Sequence, residues 1–210
     1  MDDNPWEDIY RRDGHIFVNI PSIVPEFAKL LEQNGLTGGR LLDVGCGNGR
    51  HLVYFSQRSY QVVGFDSSPS AIRLSQEWLA RENLSGDVFQ ADSRHDFPFP
   101  EDSFEVLIST QAIHHALLDT VLFSIDEIKR TVCFGGFILI TVPIFKETSE
   151  SEEDWEEIEH HTFVPLSGTE KGLPHHLFTS EEFGACFPDF NILSLSVEGN
   201  FHIALIGCKK

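Results

Sequence analysis

The stretch LLDVGCGNGR, residues 41–50, leaves this chain few folds to choose from. A short apolar run passes directly into three alternate glycines, Gly45, Gly47 and Gly49, and then into a segment with helical periodicity. Alternate glycines at a strand end let the backbone turn tightly and approach a ligand closely, and the helix that follows offers free N–H groups to negative charge. The implied unit is strand, turn and helix, and the implied ligand is nucleotide-like.

That unit recurs along the chain. Residues 40–44 read as a buried strand and 48–58 as the helix behind it. Residues 61–65 read as a second strand, after which Ser68 and Pro69 supply an N-cap and the proline favoured in a first turn, opening a helix to about residue 82. Further strands are expected at 87–91, 104–109 and 137–142, with a helix over 120–132. Ahead of the glycine loop, Ser22 is placed to cap a helix over 23–33, with Phe27, Leu30 and Leu31 on one face and Gly35 as its stop. Near the end, strand-like runs at 191–197 and 202–208 are joined by Glu198-Gly199-Asn200, which suits an antiparallel pair. The alternation predicts an α/β fold around a mostly parallel sheet. At 210 residues the chain reads as one domain. Its expected parts are an N-terminal helical cap (1–35), a cofactor-binding core (36–145), a lid or acceptor-side insertion (146–190) and a C-terminal strand pair (191–210).

Two nucleotide classes compete for the glycine loop: nicotinamide or flavin dinucleotides, and S-adenosylmethionine. The dinucleotide pattern G-x-G-x-x-G needs glycine at position 50, which is arginine here. A dinucleotide strand also runs apolar to its first glycine, whereas Asp43 sits two residues ahead of Gly45, where a carboxylate can meet an ammonium group. Asp66 closes the second strand 21 residues after Gly45, matching the spacing of about 20 for an acid that accepts from ribose hydroxyls. Asp92, at the end of the third strand, adds an acceptor suited to the exocyclic amine of adenine.

With these residues in view, the chain resembles the class I S-adenosylmethionine-dependent methyltransferases. LLDVGCGNG stands for their first motif, VVGFDSSPSAI for the second and QADSRHDFPFPEDSFEVLIS for the third and fourth. The resemblance covers about residues 36–145. It implies a Rossmann-like seven-stranded sheet, mostly parallel with an antiparallel last strand, and helices on both faces. It also implies that Asp43, Gly45 and Gly47 hold the amino-acid end of the cofactor, Asp66 the ribose, and Asp92 with Ser93 the adenine. The backbone around Thr110 faces the ammonium group, with Cys46, Ser67 and Tyr10 alongside. The opening around Trp6 and Tyr10 is similar to that of the smaller tellurite-resistance and thiopurine-type enzymes, whose leading aromatics cover the cofactor. The alternative is an amphipathic helix that only packs Trp6, Ile9 and Tyr10 on the body. Ala112-Ile113-His114-His115 also resembles the wobble-uridine tRNA methyltransferases, but the segment after Val142 departs from their RNA-contacting regions.

Composition narrows the partners. Fifteen basic against thirty-three acidic residues give a formal charge of −18, which opposes a phosphate backbone and disfavours nucleic acid. Four cysteines, Cys46, Cys133, Cys186 and Cys208, are too sparse for a disulfide framework and point to a reducing cytoplasm. The acidic N-terminus does not read as a signal peptide, and the longest apolar run falls short of the roughly 20 residues of a membrane helix. Eight acids crowd residues 147–159, read as a solvated loop, a frayed helix or a lid.

On the acceptor side, His115 is the first candidate for a general base and His114 the second, since methyl transfer to oxygen or nitrogen requires a proton to leave. The apolar segment 162–178 offers Phe163, His175 and His176 to an acceptor pocket, or else forms an arm over a sheet edge. Adjacent histidines diverge on a helix or strand, so no metal site is expected, and Cys46 reads as a packing residue. The function expected is methyl transfer to a small molecule. The alternatives are an RNA or protein methyltransferase, or a cofactor-binding regulator without turnover.

Overall fold

The computed structural model describes residues 4–146 and 154–210. Six helices and ten strands form in those residues. Helices α1 (Pro5–Asp13) and α2 (Ile23–Gln33) precede β1 (Gly39–Val44), α3 (Arg50–Ser56), β2 (Tyr60–Asp66), α4 (Pro69–Arg81), β3 (Gly86–Gln90) and β4 (Phe104–Thr110). Then come α5 (Leu118–Thr131), β5 (Val132–Pro143), three short strands β6 (Trp155–Glu159), β7 (Thr162–Pro165) and β8 (His175–His176), α6 (Ser180–Ala185), β9 (Phe190–Glu198) and β10 (His202–Lys209).

The main sheet runs β3-β2-β1-β4-β5-β10-β9. Its first five strands are parallel, and β10 is antiparallel to both β5 and β9. This is the seven-stranded sheet with an antiparallel last strand that the resemblance implies. Alternate residues of each strand feed opposite faces. Leu41, Val62, Val106 and Leu139 meet Phe27 and Leu31 of α2, Leu52 and Phe55 of α3 and Ile72 of α4. Leu42, Val63, Leu107 and Ile138 meet Val121, Ile125 and Ile128 of α5 and Phe183 of α6. Helices therefore cover both faces, and the strand order reverses between β1 and β4, leaving a crevice at the carboxyl ends of the strands.

Local signals account for most boundaries. Ser68 accepts from the Ala71 N–H at 3.0 Å and caps α4, as its position predicts. Asn4 caps α1 through the Trp6 N–H. Ser22 does not cap α2: its own backbone is already helical, and its side chain makes no capping bond. Gly49, left-handed at φ 85°, starts α3, so that helix is shorter than residues 48–58 suggest.

The larger departure lies after β5. Where the pattern suggests loop, β6, β7 and β8 form a separate three-stranded antiparallel sheet. Strand β6 is exposed over its three central residues, so it carries no apolar alternation to betray it. Residues 147–153 of the acidic run lie outside the described residues. The segment lies over the carboxyl end of the main sheet, not along an edge: Phe178 N–H donates to Pro143 O at 3.1 Å and His176 N–H to His114 O at 2.9 Å. Among the described residues no helix is long and apolar enough to cross a membrane.

Phe27 is fully buried between α2 and the sheet. Phe27→Ala is expected to lower unfolding free energy by about 3–5 kcal/mol, as large cavities in tight cores do. A urea midpoint shift with unchanged slope checks this, and a loss under about 1 kcal/mol would show that α2 is not anchored there.

Candidate active site

The carboxyl ends of β1, β2 and β4 border a cleft enclosing about 1110 Å³ of empty space, part of it open to solvent. Gly45, Gly47, Asp66, Ser67, Asp92, Ser93, Thr110, His115, Cys46 and Tyr10 all line it, so the structure brings these sequence-selected residues together. Gly45 and Gly47 both adopt positive φ, at 70° and 54°. A Cβ at Gly45 would collide with Ala112, and one at Gly47 with the Tyr10 hydroxyl, so the close approaches require glycine as well as the turn.

Asp66 organises the loop. Its Oδ2 accepts from Gly47 N–H and its Oδ1 from Ser68 N–H, both at 2.9 Å, joining the glycine turn to the start of α4. Burial raises its pKa to about 6, aided by the charges of Asp43 and Asp92 and opposed by those two backbone bonds. Each oxygen still has a lone pair for a hydroxyl donor.

Asp43 is 1% exposed, and neither carboxylate oxygen has a hydrogen-bond partner among the described residues. The nearest imidazole nitrogen, His51 Nδ1, is 3.6 Å from Oδ2, within ion-pair range but too far for a hydrogen bond. A bare carboxylate in such a place strongly favours a cationic partner.

Asp92 has a partner that the sequence does not reveal. Arg94 grips both oxygens, with Nε at 3.0 Å from each and Nη2 at 2.6 Å from Oδ2. Burial pushes its carboxyl up, but the Arg94 bonds and charge outweigh it, and the pKa falls below the ordinary value. Asp92 borders the cleft with its charge already matched. Cys46 is buried, and burial followed by the charges of Asp66 and Asp43 holds its thiol well above the usual range, which suits a packing residue.

Three contributors escaped sequence reading. Arg50, noticed only for spoiling a dinucleotide loop, lines the cleft and donates to Asn19 O at 3.0 Å and Thr110 Oγ1 at 3.4 Å. Glu7 docks α1 onto α4, accepting from Ser68 Oγ at 2.7 Å and from Ser70 N–H at 2.9 Å. Phe17 joins Trp6 and Tyr10 in an aromatic wall. The S/T-x-x-E logic that finds caps within one helix has no counterpart for a Glu reaching from 61 residues away.

The histidines divide. His115 lines the cleft and donates from Nδ1 to Ala112 O at 2.9 Å, with Trp6 edge-on at 5.0 Å. His114 does not line the cleft, but its ring lies 3.8 Å from that of His115 and 5.7 Å from that of His175. Burial pulls the pKa of His115 down to about 3, with His175 adding to it, and that of His175 to about 4. His176 is tied to Thr162 Oγ1 at 2.8 Å and packs on Phe178. Phe163 stacks towards Phe145 at 6.4 Å and, like His176, lies outside the cleft lining, where Leu173 alone represents the segment after β5.

Residues 42–140 match the family described as "Methyltransferase domain". The 2-heptyl-1-hydroxyquinolin-4(1H)-one methyltransferase of Mycobacteroides abscessus is 32% identical over 90 residues, covering 43% of this chain and 39% of that protein. Ajmaline N-methyltransferase of Rauvolfia serpentina is 30% identical over 115 residues, 54% of this chain and 39% of that protein. The alignments thus span well under half the length of these relatives. The 1,6-didemethyltoxoflavin-N1-methyltransferase of Burkholderia thailandensis, solved with its substrate and S-adenosylhomocysteine, superposes with a TM-score of 0.69 at 15% identity over 97% of this chain and 84% of that one.

The contact between Gly47 and Tyr10 yields a test. Gly47→Ala should weaken binding of S-adenosylhomocysteine by about 100-fold or more, and adding Tyr10→Ala should recover part of the loss. Recovery stays partial because alanine at positive φ still costs about 1–2 kcal/mol. Calorimetry checks both, and an unchanged affinity in Gly47→Ala would remove the loop from the site.

Proposed function

We propose that this chain, built on a methyltransferase domain of the class I fold, moves the methyl group of S-adenosylmethionine onto a small-molecule acceptor. The observation that carries the reading is Asp43, a buried carboxylate with no hydrogen-bond partner among the described residues, at the strand end that runs into the glycine-lined cleft. Asp43, Asp66 and Asp92 border or underlie the cleft, and of the three Asp92 is gripped by a guanidinium, that of Arg94. A ligand carrying an ammonium and a sulfonium is attracted to such a site, whereas the pyrophosphate of a dinucleotide is repelled.

The residues fit that cofactor. Asp43 takes the ammonium, Arg50 lies where it can meet the carboxylate, Asp66 accepts from the ribose hydroxyls, and Ser67, Asp92 and Ser93 border the adenine. Trp6, Tyr10 and Phe17 exclude water over the glycine turn. The bound sulfonium supplies an already activated methyl group, so the protein's main task is alignment. His115 contributes to the acceptor-side wall. Among neighbouring imidazoles its ring is poorly placed to receive a proton, which argues against the general-base role that its position suggests. The relatives named for quinolone and alkaloid substrates support a small heterocyclic or aromatic acceptor. Four free thiols fit the cytoplasmic setting read from the sequence.

The assignment is tested by incubating the protein with methyl-labelled S-adenosylmethionine and a metabolite extract. A labelled small product is expected; binding of NAD tighter than of S-adenosylhomocysteine would refute it. Asp66 adds a pH dependence. Its folded pKa, about 6, lies above the ordinary 3.8, so the folded protein holds an extra proton between roughly pH 4 and 6, and this group's contribution to stability falls as pH rises through that window. Ribose hydroxyls favour the ionised form, so S-adenosylhomocysteine should bind several-fold tighter at pH 7 than at pH 5, with proton release. Asp66→Asn should flatten that profile; an equally steep profile in the variant would assign it to another group.

A further inference from the structure

Behind the acceptor-side wall, three imidazoles from two separate segments meet. His114 and His115 lie in the turn between β4 and α5, and His175 opens β8. The expectation that adjacent histidines diverge holds for helices and strands, but this pair sits in a turn that follows Gln111 at φ 56°, and there the rings converge. One ligand nitrogen from each of the three lies within 4.8 Å of the others.

The second observation is what these nitrogens lack. His114 and His175 are each 5% exposed, and His114 Nδ1 and His175 Nε2 are buried with no hydrogen-bond partner among the described residues. Glu170 Oε2 does lie 3.2 Å from His175 Nε2, but the pair is not aligned as a hydrogen bond, so the contact is charge proximity only. His115 has its Nδ1 committed to Ala112 O, which fixes the tautomer with Nε2 as the lone-pair donor. Buried polar atoms nearly always have hydrogen-bond partners, and two imidazole nitrogens without one beside a third imidazole make the arrangement of a ligand set.

The geometry points to a binding site for a divalent transition-metal ion of the zinc class, held by His114, His115 and His175 with Glu170 at the rim. Tetrahedral coordination at about 2.0–2.1 Å places ligand atoms roughly 3.3 Å apart, so the three rings must draw together from their present spacing of up to 4.8 Å to hold an ion. Three imidazoles select zinc, cobalt, nickel or copper over magnesium and calcium, which demand oxygen. The fourth position falls to Glu170 or to a ligand entering from the cleft, which His115 borders. Such an ion would cross-link β8 to the turn after β4, where one backbone bond, His176 N–H to His114 O, already joins them. The other cluster among the described residues, His160, His161 and Glu182, is largely exposed, and Glu182 is committed to capping α6.

The test uses the full chain after chelation. Zn²⁺ is expected to bind at one equivalent and raise the melting temperature, and Co²⁺ to give the visible absorption of a nitrogen-rich tetrahedral site. His114→Ala and His175→Ala should each weaken Co²⁺ binding by 10-fold or more, while His160→Ala leaves it unchanged. Should those variants fail to fold, imidazole ¹⁵N shifts of the unmodified protein give the same answer: Zn²⁺ should move the resonances of His114, His115 and His175. No binding, or binding lost only in His160→Ala, or shifts confined to His160 and His161, would overturn the site. The inference stands apart from methyl transfer, because S-adenosylhomocysteine binding is measured separately in the chelated protein.

Discussion

Asp43, a buried carboxylate with no hydrogen-bond partner among the described residues, is the constraint around which the rest of this structure is arranged. Strand β1 lies between β2 and β4, so its carboxyl end is walled on both sides, and Asp43 sits there in parallel register with Gly64 and Ile108. The smallness of Gly64 matters: a Cβ there would press on Leu52 and Cys46, which pack behind the loop. The sheet therefore fixes Asp43, and the negative charge it cannot share helps push Asp66 towards neutrality. On the function proposed above, a bound ammonium group would offset the cost of burying that charge.

The N-terminal helix extends this logic outward. Glu7 reaches the first turn of α4, where free N–H groups and the helix dipole favour a negative charge, and its bonds to Ser68 and Ser70 keep its pKa low although burial opposes this. With α1 held there, the Tyr10 hydroxyl rests over Gly47 and Trp6 stands against His115. Of the two roles open to the opening aromatics, covering the cleft and packing on the body, this geometry serves both: Tyr10 is buried against Ala71 and Leu74 and still lines the cleft.

Sequence made the parallel core legible because each of its signals is local. Three alternate glycines, a Ser-Pro cap and buried β-branched runs act within a few residues of one another, and β1 to β5 and β10 followed with shifts of at most five residues at their ends. What sequence missed depends on contacts across long separations. Arg94 claiming Asp92 leaves no periodic trace, and neither does Glu7 bonding α4. Strand β6 is exposed and acidic, so its pairing with β7 is specified by backbone bonds, which do not show in hydropathy. The adjacent histidines mislead in the opposite direction, because a rule for regular elements does not govern a turn.

The central claim, that Asp43 exists to meet the cofactor's ammonium group, is tested most directly by a cycle crossing Asp43→Asn with removal of that group from the ligand. Calorimetry would compare S-adenosylhomocysteine with its deaminated analogue on both proteins. If Asp43 pairs with the ammonium, Asp43→Asn should weaken S-adenosylhomocysteine by about 10- to 100-fold, in line with roughly 1.5–3 kcal/mol for a charge-assisted hydrogen bond, and change the analogue little. Equal losses for both ligands would contradict the account and make Asp43 a structural residue of the loop.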